Sequence, residues 1–443
     1  MVAQLGAMTS APLWRGYWFL FASTSAAAFI MQIDLAMVAR LGGRAPGAYA
    51  ILMRITLLDV AVTIACAAVA AIALGHAQKN GKAAEAIEKT CALSLALGAA
   101  TAIFGLFAYP IFLDALMGSG AAAPYIGAPI VWLVAGAPFR VLSNTQGFLL
   151  HALGRGGSVL TWKLAEIPVK AGANVLFMQT LGFGFAGCFL AGCIVAAVSS
   201  LWLWNRLQAH GARRIRVPEI AFVRSFLSGT FWEALRVLSP QAAMLFTLTL
   251  FALPWPNGAN GQRLDSFAAA QTFMLFILGP LITLMRYLAI HLPTRSSDDW
   301  TAALTAVIRV GAPIALTAAI VLLLGRDWIG ETLYRQHGAW WSVFVACLAL
   351  SLPIRFVGSI LRGLTLARSS FAELTSVDVL SQWFIAPLFI LFGLSVNRPE
   401  IAYQSLIWPE LLAVLLIWLG LRSAPEKPAS VEVGFTRPRS GNI

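Results

Sequence analysis

The sequence predicts an all-α polytopic membrane protein with twelve transmembrane helices in two pseudo-symmetric six-helix lobes. Composition, the number of apolar runs and an internal repeat carry that prediction. Of 443 residues, 59% are hydrophobic and 11% charged, against about 25% charged in a soluble domain. Apolar runs of the length that crosses a hydrocarbon core as a helix, about 20 residues, recur from Trp14 to Leu421. They number twelve. Slid on itself, the sequence matches at a constant shift of 215 residues. His76 falls on His291, Pro138-Phe139-Arg140 on Pro353-Ile354-Arg355, and Ala152 on Ala367. His, Pro and Arg are scarce inside spans, which gives weight to matches among them.

Residues 13 to 39 form the first span, because the run is too long for a signal-peptide core and lacks a small-residue cleavage site. Lys79, Lys82 and Lys89 follow span 2, and Arg206, Arg213, Arg214, Arg216 and Arg224 follow span 6, whereas the loops after spans 3 and 5 carry no Lys or Arg. Basic loops stay in the cytoplasm, so both termini are expected there, in a multi-pass protein of the inner (plasma) membrane. The same dispersal of the +12 net charge speaks against nucleic acid as a partner. The expected organisation is an N-terminal lobe over 1–206, a basic cytoplasmic linker over 207–227, a C-terminal lobe over 228–421 and a disordered polar tail over 422–443. An even number of spans per half gives both copies the same orientation, the design of transporters that rock two lobes about a central site.

No nucleotide-binding Gly-rich loop, no catalytic grouping and no metal-ligand spacing occurs. An enzyme, a cofactor and a metal centre are therefore not expected. Cys66, Cys91, Cys188, Cys193 and Cys347 all lie in spans without disulfide spacing and read as packing residues.

Charges inside the membrane cost a few kcal/mol each and mark pathways, pairs or coupling sites. Asp34, after Gln32, lies well inside span 1. A buried carboxyl that takes up and releases a proton is what proton coupling requires; a static pair with a base such as Arg54 is the alternative. Lys163, Glu166 and Lys170 share one face of span 5, the middle acid placed to pair with both bases. The stripe either glues helices together or leaves positive charge facing a cavity. At the repeat shift Lys163 corresponds to Asp378, which raises an inter-lobe gate between opposite charges. Arg140 and Arg355, related by the same shift, are the best further cavity candidates, ahead of Arg236, Arg286 and Arg309. The excess of bases favours an anionic or zwitterionic small molecule over a bare cation.

Several segments, in order along the chain, resemble the multidrug and toxic compound extrusion (MATE) transporters of the MOP flippase superfamily. They are Gln32-Ile-Asp-Leu-Ala-Met-Val-Ala-Arg-Leu-Gly42, His76-Ala-Gln-Lys-Asn-Gly81, Leu116-Met-Gly118, the Gly-rich stretch Gly182 to Ala191, and Leu361-Arg-Gly363. The resemblance implies drug or metabolite antiport against protons or sodium, with Asp34, Asn174 and Ala191 at the family's ion-coupling positions. Met178 and Gly192 stand where the family commonly has an Asp and a Thr, so two oxygen ligands for a hard cation are missing. Protons are therefore expected rather than sodium. The second-half acid of some members is absent from Phe246 to Leu253, and span 1 has no proline between Pro12 and Pro46. The expected function is export of a small organic molecule by a monomer in the bilayer; the rival is a flippase for a lipid-linked saccharide or other anionic precursor.

Overall fold

The computed structural model describes residues 2–41, 45, 48–49, 52–53, 56–117, 123–255, 260–295 and 297–423. Span 1 is α1 (Val2–Ala39), span 2 is α2 (Leu57–Lys79) and span 3 is α3 (Ala83–Met117). Gly136 breaks span 4 into α4 (Ala123–Ala135) and α5 (Ala137–Ala152), with Pro138 in the first turn of the second piece, where its missing N–H costs nothing. Span 5 is α6 (Gly156–Asn174), continued by a π turn over Val175–Thr180, and span 6 is α7 (Gly184–Gln208).

The second half repeats the series: α8 (Ile220–Ala252), α9 (Asn260–His291), α10 (Ser297–Ile329) and α11 (Ala339–Ala367). Span 11 is α12 (Phe371–Leu380) and α13 (Ala386–Ser395) joined by a π turn, Ser381–Ile385. Span 12 is the short α14 (Pro399–Ala402), a 3-10 turn, and α15 (Trp408–Ser423). Ten of these helices are long and apolar enough to cross a bilayer. The other two spans are the divided fourth and the fifth, which carries three charges.

Helix boundaries confirm the duplication more sharply than the residue matches do. Ala152 and Ala367 end α5 and α11; Gly156 and Phe371 start span 5 and span 11, and Thr180 and Ser395 end them. Gly184 and Pro399 start the sixth span of each half, and Gln208 and Ser423 end it. Each pair is 215 residues apart. The packing repeats too: α5 lies against α2, α3 and α7, and α11 against their counterparts α9, α10 and α15.

The chain divides into two compact units, Arg15–Ala234 and Leu235–Ala429, the second also taking the residues up to Trp14. The division falls inside α8, beyond the stretch 207–227 that reads as a linker. That stretch is pinned to the start of α3: Glu88 accepts the backbone N–H of Arg213 at 2.9 Å and of Arg214 at 3.2 Å, and Lys89 bridges Glu85 at 2.7 Å and Glu219 at 3.0 Å. The tail from 424 onward lies outside the described residues.

In the first unit α2 is almost a ribbon of small buried residues, Ala61, Ala65, Cys66, Ala67, Ala70 and Ala71, which lets α5 approach closely. The second unit is instead filled by aromatics, Phe251 stacking on Phe267 at 4.2 Å with Phe344 and Tyr403 around them. Prolines stand inside α3, α4, α6, α8, α9, α10 and α11, each removing one backbone donor from its helix.

Candidate functional site

Asp34, Lys170 and Asn174 come together in the first unit. Lys170 and Asn174, four residues apart on α6, share one face of that helix and present it to α1 and α7. The Asn174 amide donates to Asp34 Oδ1 at 2.6 Å. The Lys170 ammonium lies 3.3 Å from the same oxygen, donates to Asn174 Oδ1 at 3.1 Å, and donates to the Cys188 carbonyl of α7 at 2.8 Å. Both charged side chains are shielded, Lys170 at 5% and Asp34 at 14% exposure, so their attraction is far stronger than between the same charges in water. The Cys188 thiol and Tyr49 both lie within the field of the carboxylate. A π turn follows Asn174 directly, a local irregularity common at functional positions.

Ala191, expected at an ion-coupling position, is fully buried on α7 and has no side-chain oxygen to offer. The contribution of α7 is the Cys188 carbonyl; Gly192 lies next to the ammonium, and a Cβ there would meet Lys170 Nζ at 3.4 Å, an ordinary van der Waals contact. Gln32 is exposed on α1, and Arg54 lies outside the described residues.

A second cluster occupies the other unit. Arg362 of α11 donates its Nε to Asp378 Oδ1 at 3.0 Å and grips Glu410 of α15 through both η nitrogens. Arg355, one helical repeat back, lies 3.7 Å from Glu410 Oε2 and is itself anchored by Ser351 and the Leu406 carbonyl. Two bases thus neutralise two acids across spans 10, 11 and 12. Gly358 opens the space for them, since a Cβ at that position would sit 2.6 Å from Glu410 Oε1 and 2.7 Å from Arg362 Nη1. Gly358→Ala is accordingly expected to cost about 1–3 kcal/mol through forced displacement of the pair. A melting temperature equal to wild type in detergent would show that the pair shifts freely.

Two more of the predicted charges find acidic partners inside the first unit. Arg140 pairs with Asp59 of α2, and Lys163 with Glu166 at 2.7 Å. Glu166 therefore serves one base of its stripe rather than two, and Lys170 turns to Asp34. Lys163 and Asp378, the two sides of the expected gate, are each engaged locally. Arg263 stands apart: its two η nitrogens have no hydrogen-bond partner among the described residues, and it lies 5.5 Å from the centre of the Trp340 ring, a cation–π contact.

Arg362, Glu410 and Asp59 were missed as site residues although each is a charge inside an apolar run, the signal that picked out Asp34. The Cys188 carbonyl carried no signal, because any residue supplies one. The three members of the Asp34 cluster have no equivalents in the second half, where the repeat shift places Thr249, Ile385 and Phe389.

No protein-family model and no curated protein matches the sequence. Solved structures do match its fold. A MATE in the bent conformation matches with a TM-score of 0.82 at 16% identity, covering 93% of this chain and 94% of that one. A mutant of the Vibrio cholerae MATE transporter VcmN gives 0.80 at 15% identity, covering 95% and 98%. A MOP superfamily transporter from Pyrococcus furiosus, described as having a binding pocket of reverse polarity that suggests a different function, gives 0.78 at 15%, covering 93% and 95%. The chain has the MATE fold of twelve transmembrane helices.

Proposed function

We propose that this chain is a MATE-type secondary exporter that moves a small organic molecule out of the cytoplasm by proton-coupled alternating access across the inner membrane. The observation that carries the reading is the Asp34–Lys170–Asn174 cluster, which ties spans 1, 5 and 6 of the first half together through one shielded ion pair. With Asp34 ionised, the pair holds these helices in one arrangement. A proton reaching Asp34 from the outer side cancels that attraction and favours a second arrangement, the one that releases substrate; loss of the proton to the cytoplasm re-forms the pair and resets the cycle. Two states biased by one proton suffice for coupling.

The pairing of Arg140, Lys163, Lys170, Arg355 and Arg362 with acids tempers the positive excess read from the sequence. A zwitterion is therefore as compatible with these clusters as an anion.

The test is dissipation of an imposed pH gradient in everted vesicles without sodium, challenged in turn with organic anions, zwitterions and cations. An exporter exchanges luminal protons for substrate, so at least one class is expected to collapse the gradient only in vesicles that contain the protein. Silence toward every soluble compound would overturn the reading in favour of the lipid-linked flippase.

A further inference from the structure

We infer that the Lys170 ammonium is a tethered cation that takes the place a mobile monovalent ion would otherwise occupy, and that coupling proceeds by movement of this ammonium on and off Asp34. The inference deepens the exporter reading and rests on it for the word coupling.

An ammonium has three donors and no acceptor. Lys170 donates to Asn174 Oδ1 of α6 at 3.1 Å and to the Cys188 carbonyl of α7 at 2.8 Å, and its charge lies 3.3 Å from Asp34 Oδ1 of α1. A carboxylate, an amide oxygen and a helix carbonyl converging on one positive charge make up the kind of oxygen set that hard cations use. Here the charge arrives on a side chain. With two donors engaged, its charge set against Asp34 and its side chain 5% exposed, Lys170 is directed at these partners.

The surroundings agree with a built-in cation. Met178, four residues after Asn174, is buried and carries no oxygen, and the Cα of Gly192 lies beside the ammonium, where an added Cβ would meet Nζ at 3.4 Å. The groups facing the pair are the Asn174 amide, the Met37 thioether, the Cys188 thiol and Tyr49. Glu166, one turn before Lys170 on the same helix, is taken by Lys163. Asp34 is thus the acid that holds this ammonium among the described residues. One consequence is that arrival of an external cation is unnecessary; another is that the site swings between neutral and positive as Asp34 gains a proton, where an empty acidic site would swing between negative and neutral.

The experiment removes the tether and supplies the cation from solution. Lys170→Ala deletes a propylammonium group, so propylammonium chloride is the probe and choline chloride the control, both with the full-length chain. In sodium-free proteoliposomes the variant is expected to lose proton-coupled transport by about tenfold or more, and to regain a measurable part of it with propylammonium. In detergent, propylammonium is expected to raise the melting temperature of Lys170→Ala by about 2 °C or more and to leave wild type unmoved.

Wild-type transport by Lys170→Ala in choline overturns the inference, as does a melting temperature indifferent to propylammonium. If the variant accumulates only when cells are grown with propylammonium, that recovery supports it; no recovery overturns it. Should the wild-type protein move no soluble compound, the exporter reading fails on that result alone, and the melting experiment still decides whether Lys170 occupies a cation site.

Discussion

Arg362→Met is expected to destabilise the protein by about 3–5 kcal/mol, the cost of breaking a buried charge cluster from one side, and to leave little folded chain in a thermal melt. Arg362 is the hub of its cluster, holding Asp378 at 2.9 Å and Glu410 through both η nitrogens, with its side chain 13% exposed and those of the acids 6% and 11%. Without it, two carboxylates remain in a low-dielectric interior with only Arg355, 3.7 Å from Glu410, to offset them. Arg362→Lys is expected to recover only part of the loss, since an ammonium cannot present the planar fork that reaches two acids at once. A loss of less than about 1 kcal/mol would show that the cluster is solvated rather than buried.

Asp34→Asn is expected to abolish substrate-driven dissipation of the pH gradient, to the level of vesicles lacking the protein, while the protein still folds. The new amide keeps an oxygen where Asp34 Oδ1 stood, and Lys170 retains Asn174 Oδ1 at 3.1 Å and the Cys188 carbonyl at 2.8 Å. Its stability cost is therefore smaller than that of Arg362→Met, where the orphaned charges keep less. What disappears is the group that takes up the proton in the proposed cycle. Normal coupled efflux by a well-expressed Asp34→Asn variant would place coupling elsewhere.

Much of the fold was legible before any coordinates. Span count follows from apolar runs because a bilayer demands a fixed helix length, and the repeat at 215 residues paired Ala152 with Ala367, which the structure shows to be equivalent helix ends. The importance of Asp34, Lys170 and Asp378 was legible for the same solvent reason: a charge in hydrocarbon needs a partner or a task. The identity of the partners was not. Helical spacing placed Glu166 between Lys163 and Lys170, and the structure gives it to Lys163 alone. Arg355 was expected to face a cavity and is tied to Glu410, Ser351 and Leu406.

The sequence by itself thus determined that this is a duplicated twelve-span membrane protein, and which charges had to be satisfied inside it, because both follow from the solvent the chain must live in. The tertiary structure alone decided that Lys170 answers Asp34 and that Arg362 joins Asp378 to Glu410. Those choices depend on how far each helix is rotated about its axis and on where a glycine such as Gly358 leaves room. Rotation is set by packing against several neighbours at once, and no local run of residues encodes it.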